Sequence, residues 1–259
     1  MNNSTKEKYE GIFGNNQKKL AALLELDECT SKWRKFEAIL KSMPSDFGGP
    51  SIFFHEQAIS IAKEGKYFVN DRQKLAEHLK MVYAVLPAWG MHRMGDTDTK
   101  IIHYRDFCDN IYDHLERHGD LVRRYKQGAL TIENANAKEI ADFILSLQVS
   151  VSDARLVSSS KTLHHIFPHL IPPIDRAYTI RFMKQEPKFN RGSVPINDEN
   201  WFAETFINRM QSFLIEDKQR KNRIRKLSEN GNEFNTSIPK ILDNLIIAFV
   251  KLHTKEKKE

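Results

Sequence analysis

Apolar residues recur every three to four positions along most of this chain, the spacing of helices buried on one face. Leu20, Leu23 and Leu24 mark residues 17–27 as one helix. Trp33, Phe36, Ile39 and Leu40 share a face over 31–43, with Ser31 as a candidate N-cap. A break at 47–50, FGGP, precedes a helix opening at Ser51 and stopping at Gly65. Asp71 opens another helix, which Pro87 ends, and residues 88–99 read as a loop. Helical patterns continue over 103–127, interrupted at Gly119, and after Asn136. A long charged helix is expected over 197–227 and an apolar one over 238–253. No segment alternates apolar and polar residues between hairpin turns. The pattern predicts an all-α chain, a single domain over 1–259 with two helical lobes around a cleft and frayed ends at 1–8 and 254–259.

Composition narrows the classes of function. The 259 residues are enough for a sizeable core, and 40% hydrophobic content excludes a disordered chain. No apolar run approaches the roughly 18–20 residues of a membrane span, so no membrane partner is expected. The first residues, MNNSTKEKYE, lack the apolar core of a secretory signal. Cys29 and Cys108 are the only cysteines, which fits a reducing cytoplasm. Two thiols cannot ligate a four-cysteine iron–sulfur cluster, and no cofactor is expected. Lys and Arg total 40 against 34 acids, a net charge of +6 that permits a phosphate-bearing partner without requiring one.

The stretch 158-SSSKTLHHIFPHLIPPIDRAYTIRF-182 concentrates the chemistry. Ser158, Ser159 and Ser160 suit a helix N-terminus, with Lys161 and Thr162 in the first turn. Free N–H groups there favour an anion, so the turn reads either as a phosphate seat or as an ordinary capped helix. Pro172 and Pro173 stiffen the next connection, and Asp175 stands at the N-cap position before 176-RAYTIRFMK-184. Capping hydrogen bonds favour an ionised carboxylate, which beside a cleft stabilises a developing cation or orients a water.

Two segments, 156-LVSSSKTL-163 and 174-IDRAYTIR-181, resemble the helix-hairpin-helix DNA glycosylase superfamily. Its hairpin reads leucine-proline-glycine-valine-glycine-x-lysine-threonine-alanine, followed by a proline-containing loop and an aspartate that opens an Arg-containing helix. The resemblance covers roughly residues 140–185, with serines in place of the hairpin glycines and a shorter link between Lys161 and Asp175. It implies an enzyme that flips a modified or damaged base out of DNA and hydrolyses its N-glycosidic bond. Asp175 would then be the catalytic carboxylate, and Ser158, Ser159, Ser160, Thr162, Arg176 and Arg181 would contact DNA. Lys161 matches the Schiff-base lysine of bifunctional members, or serves as a plain phosphate contact. The expected enzyme is monomeric and monofunctional, with lyase chemistry at Lys161 left open, and acts in DNA repair or anti-phage defence.

Further features admit two readings each. In 86-LPAWGMHRMGD-96, Trp89, His92 and Arg93 suit a base pocket, and equally a loop packed on its own hydrophobes. His164, His165 and His169 resemble a metal cluster, but no thiol or carboxylate stands at ligand spacing, so buried hydrogen bonding is the expectation. The basic run 218-KQRKNRIRK-226 is a solvated helix face or a secondary backbone contact. The rivals to a glycosylase are a non-catalytic helical nucleic-acid-binding module and a helical protein-interaction module whose charge is incidental.

Overall fold

The computed structural model describes residues 1–46, 50–64, 72–92, 100–184, 194–229 and 234–255. Twelve α-helices carry the fold of these residues, and the only extended pairing among them is an isolated bridge between Ile101 and Ser150. The all-α expectation holds.

Helix α1 (Asn3–Glu25) starts earlier than its apolar pattern suggested. Asn2 caps it by accepting from Thr5 N at 2.9 Å, and the Met1 amino group meets Asp198 at 2.7 Å. Its buried face, Phe13, Asn16, Leu20, Leu23 and Leu24, packs on α9 (Thr179–Lys184), where Asn16 Nδ2 donates to the Phe182 carbonyl at 2.8 Å. Phe13 meets Phe182 edge-on and stacks on Phe206 of α10 (Glu199–Ile215). Residues 254 and 255 belong to a helix as well, while 256–259 and the expected helix signals at Gly65 and Asp71 lie outside the described residues.

Helices α3 (Pro50–Glu64) and α4 (Arg72–Ala88) pack on each other and on α8 (Leu156–Ile166). Pro87 does not end α4 but sits in its last turn, and although it forfeits one helical N–H, Trp89 N still closes the helix on Val85 O at 2.9 Å. The break near Gly119 separates α5 (Tyr104–Arg117) from α6 (Gly119–Lys126). Helix α7 (Ala137–Leu145) is capped by Asn136 and packs on α8 and α10.

The charged region over 197–227 is not one helix. It divides into α10 and α11 (Lys218–Glu229) because Asp217 turns its carboxylate onto the Arg220 N–H at 2.8 Å, an N-cap that restarts the helix. Much of the basic run on α11 is spent inside the fold. Arg223 donates to Leu24 O and Leu26 O and lies 3.8 Å above the Trp33 ring of α2 (Ser31–Asp46), while Lys221 and Arg225 pair with Glu133. Helix α12 (Ile238–Lys255) is buried over most of its circumference, from Ile241 to Leu252, as expected of a central helix. None of the helices is long and apolar enough to cross a membrane, among the described residues.

Candidate active site

Two segments bring the acid and the amine together. Asp175 closes the turn before α9: its Oδ1 accepts from Ala177 N at 2.7 Å, and its own N–H donates to Thr179 Oγ1 at 3.1 Å. The expected helix over 176–184 is therefore shorter, beginning at Thr179, because Asp175 caps a turn instead of the helix itself. One turn of α8 presents Lys161, whose Nζ reaches Asp175 Oδ2 at 2.8 Å and Trp89 O at 3.4 Å. The lysine side chain is 7% exposed and the carboxylate 29%, so the carboxylate is the member that solvent can reach. Burial pushes the Asp175 carboxyl up, but Lys161 and the N–H groups of Ala177 and Tyr178 outweigh it and hold the group below the usual carboxylate range.

This pair stands in the wall of a cavity of about 370 Å³, within the roughly 300–1,000 Å³ of small-molecule sites. Trp89, Tyr178 and Phe234 supply its rings. A positive φ of 81° at Gly90 turns the chain sharply after Trp89 at the cavity edge. Helix α12 adds Lys240 and Asp243, three residues apart on one face. Lys240 Nζ donates to Asp243 Oδ2 at 2.6 Å and Asn244 Oδ1 at 2.8 Å, and lies 4.2 Å from the Phe234 ring centre and 5.1 Å from that of Trp89. Burial lowers the Lys240 pKa and raises that of Asp243, each against the pull of its partner.

Behind the cavity wall lies a layer of buried imidazoles. His165 Nδ1 is 2.7 Å from the Lys161 carbonyl, which can only accept, so Nδ1 carries the proton. Nε2 of the same ring then accepts from His55 Nδ1 at 3.0 Å, and His55 Nε2 accepts from Thr236 Oγ1 at 3.3 Å. His164 Nδ1 donates to Ile171 O at 2.8 Å. Burial drives these rings toward the neutral form, His165 to about 3 and His78 of α4 to about 4, with His55 and His164 well below the usual value. The ring of Trp89 sits edge-on to His165, centres 4.7 Å apart.

The serine run does something other than expected. Helix α8 begins at Leu156, two residues earlier, so Ser158, Ser159, Ser160 and Thr162 lie within it and are buried. Their hydroxyls are used internally: Ser159 donates to Leu147 O at 2.7 Å, Thr162 to Ser158 O at 2.9 Å, and Ser158 and Ser160 to carbonyls of their own helix. Nor does the helix N-terminus await an anion, since Glu199 of α10 already accepts from Arg155 N and Leu156 N at 2.9 and 3.2 Å. A phosphate seat built from these serines is thereby corrected to a buried, self-satisfied core helix. Arg176 and Arg181 are half-buried and outside the cavity wall; the exposed His92 uses Nδ1 to accept from Ile101 N at 3.2 Å, and Arg93 lies outside the described residues.

Of the expected site residues, the structure unites Asp175, Lys161 and Trp89. Tyr178, Phe234, Lys240 and Asp243 were not anticipated. For the last two a signal existed, because opposite charges three residues apart in an otherwise apolar helix indicate a buried pair. Comparison of the chain with family models, with curated proteins and with solved structures gives no match.

Proposed function

We propose that the chain is a DNA N-glycosylase that hydrolyses the bond between deoxyribose and a modified or damaged base, leaving an abasic site. The observation that carries this reading is the Asp175–Lys161 pair at 2.8 Å in the wall of a ring-lined cavity. A base extruded from the duplex would stack among Trp89, Tyr178 and Phe234. As the C1′–N bond breaks, its electron pair leaves with the base and C1′ takes positive charge. Asp175, held ionised by its partners, stabilises that charge. Water adds to C1′ and its proton passes to the carboxylate, while the departing base nitrogen takes a proton from solvent. Lys161 serves as positioning residue, its Nζ engaged by the carboxylate, which supports a monofunctional enzyme over a lyase.

The burial of the serine hydroxyls supports a second reading, hydrolysis of a free nucleoside, for which no duplex phosphate need be held. One experiment separates the alternatives. Wild-type and Asp175→Asn protein are incubated with unmodified, damaged and heavily modified phage DNA, and with the common nucleosides; abasic sites are detected with an aldehyde probe and free bases by mass spectrometry. Base release from DNA by wild-type alone supports the glycosylase. Release only from nucleosides moves the assignment to a nucleosidase, and equal background from both proteins on every substrate, despite DNA binding, leaves a non-catalytic binder.

A further inference from the structure

Two buried hydroxyls hold the main chain that carries Asp175. Pro172 and Pro173 have no N–H, so Ile174 and Asp175 bring the first backbone donors after them as the chain returns along α8. Both donate to side chains: Ile174 N to Ser160 Oγ and Asp175 N to Thr179 Oγ1, each at 3.1 Å. Ser160 and Thr179 are 0% exposed, so water does not stand in for either acceptor once it is removed.

The two hydroxyls act from opposite sides. Ser160 gives its own proton to Val157 O at 3.2 Å, which leaves its lone pairs for Ile174. Four residues on, along the same face of α8, His164 Nδ1 donates to Ile171 O at 2.8 Å. These two bonds fasten both ends of 171–174 to the helix that carries Lys161. Thr179 is the first residue of α9, and the next residue, Ile180, donates its N–H to Asp175 O at 3.0 Å. The main chain of Asp175 is therefore held at its N–H and at its carbonyl. The carboxylate itself is held at its tips, by Ala177 N on Oδ1 and Lys161 Nζ on Oδ2, and at 29% exposure water competes for those contacts. A turn of the main chain would swing the carboxylate away from the lysine.

We propose that Ser160 and Thr179 are positioning residues, whose hydroxyls fix the main chain at 174–175 and so keep the Asp175 carboxylate in the cavity wall against Lys161. This rests on the reading of Asp175 as the catalytic carboxylate. It also separates the members of the serine run. Ser160 serves the site through Ile174, whereas its equally buried neighbour Ser159 bonds Leu147 O and has no part in holding Asp175.

The test compares Thr179→Val, which keeps the branched shape but loses the acceptor, with Thr179→Ser, which keeps the hydroxyl, and Ser160→Ala with Ser159→Ala. Each protein is checked by circular dichroism to be folded at the assay temperature, then followed by steady-state base release and by a crystal structure. Thr179→Val and Ser160→Ala are expected to lower kcat about tenfold or more with KM within about threefold, since misplacement by about 1 Å costs up to about 100-fold. Their Lys161 Nζ–Asp175 Oδ2 separation is expected to open beyond about 4 Å, the limit of an ion pair. Thr179→Ser and Ser159→Ala should keep kcat within about threefold of wild type and the separation near 2.8 Å. Ser160→Ala lies on a different element from Thr179 and carries the same readouts should Thr179→Val fail to fold. A kcat for Thr179→Val or Ser160→Ala within about threefold of wild type, an equal loss in Ser159→Ala, or an unchanged separation overturns the proposal. If wild-type protein releases no base from any substrate, the glycosylase is discarded and the separation in the crystal structures alone decides whether the two hydroxyls hold Asp175.

Discussion

Lowering the pH from 7 to 5.5 is expected to unfold this protein at far lower denaturant concentrations, because five histidines, His55, His78, His114, His164 and His165, have no exposed surface. Burial lowers every one of their pKa values, to about 4 for His78 and about 3 for His114 and His165. In the unfolded chain each titrates near 6.5, so below that pH the unfolded state binds more protons and is favoured. The stability these groups protect is fully present above pH 6.5 and declines as the pH falls. For a group with a folded value of 4 or less, the loss between pH 7 and 5.5 is about 1.2 kcal/mol, or about 4 kcal/mol for His78, His114 and His165 together, with His55 and His164 adding in the same direction. That compares with a typical total of about 5–15 kcal/mol. Glu199 and Asp243, whose pKa values burial raises, act in the opposite direction and reduce the sum. Urea titrations followed by circular dichroism at pH 7.5, 6.5 and 5.5 measure it. A free energy of unfolding that changes by less than about 1 kcal/mol over that range would refute the reasoning, since it would require these rings to be as easily protonated folded as unfolded.

Other perturbations test separate parts of the structure. His114→Leu is expected to stabilise the protein by about 1–3 kcal/mol, because neither ring nitrogen of His114 has a hydrogen-bond partner among the described residues; thermal and urea denaturation report it. Ser159→Ala should cost about 1–3 kcal/mol by orphaning the Leu147 carbonyl, while leaving the affinity for any DNA unchanged, whereas removal of a phosphate-binding hydroxyl would weaken it. Arg223→Lys should lose most of what Arg223→Ala loses, about 1–3 kcal/mol by urea titration, because only the planar guanidinium bridges two carbonyls while stacking on Trp33.

How much of this was legible in the sequence depends on whether a local pattern or a distant partner decided the outcome. The one-sided apolar spacing of Leu20, Leu23 and Leu24 gives a helix because the same residues later form its buried face. Asp175 does accept a backbone N–H two residues on, a local habit of aspartate, but it closes a turn and not the helix expected over 176–184. The serine run was not legible. Its polar residues look solvent-facing, and they are buried only because Glu199, over forty residues later, occupies the helix N-terminus and the hydroxyls find carbonyls close by. Lys240 and Asp243 were lost within an apolar pattern whose average concealed them. Asp217, by contrast, was a readable helix start inside 197–227 that charge content obscured. The pairing of Lys161 with Asp175 follows from how the 167–174 connection returns along α8, where Ile174 N donates to Ser160 Oγ at 3.1 Å, a register no spacing rule contains.

The docking of α1 has a consequence for how the protein is made. Its partners are remote in the chain: Asn16 bonds Phe182, 166 residues away, and Leu24 receives Arg223, 199 away. At about 5–20 residues per second, a ribosome needs about 10–40 s to supply the second of these after the first has emerged. Until α9 and α10 have been made, Phe13 lacks Phe182 and Phe206 and most of the native surface for this face is missing, so the nascent chain presents a sticky amphipathic helix to any holding factor nearby. Substitutions that weaken α9 or α11 should therefore lower the yield of the newly made protein more than they lower the stability of the finished one.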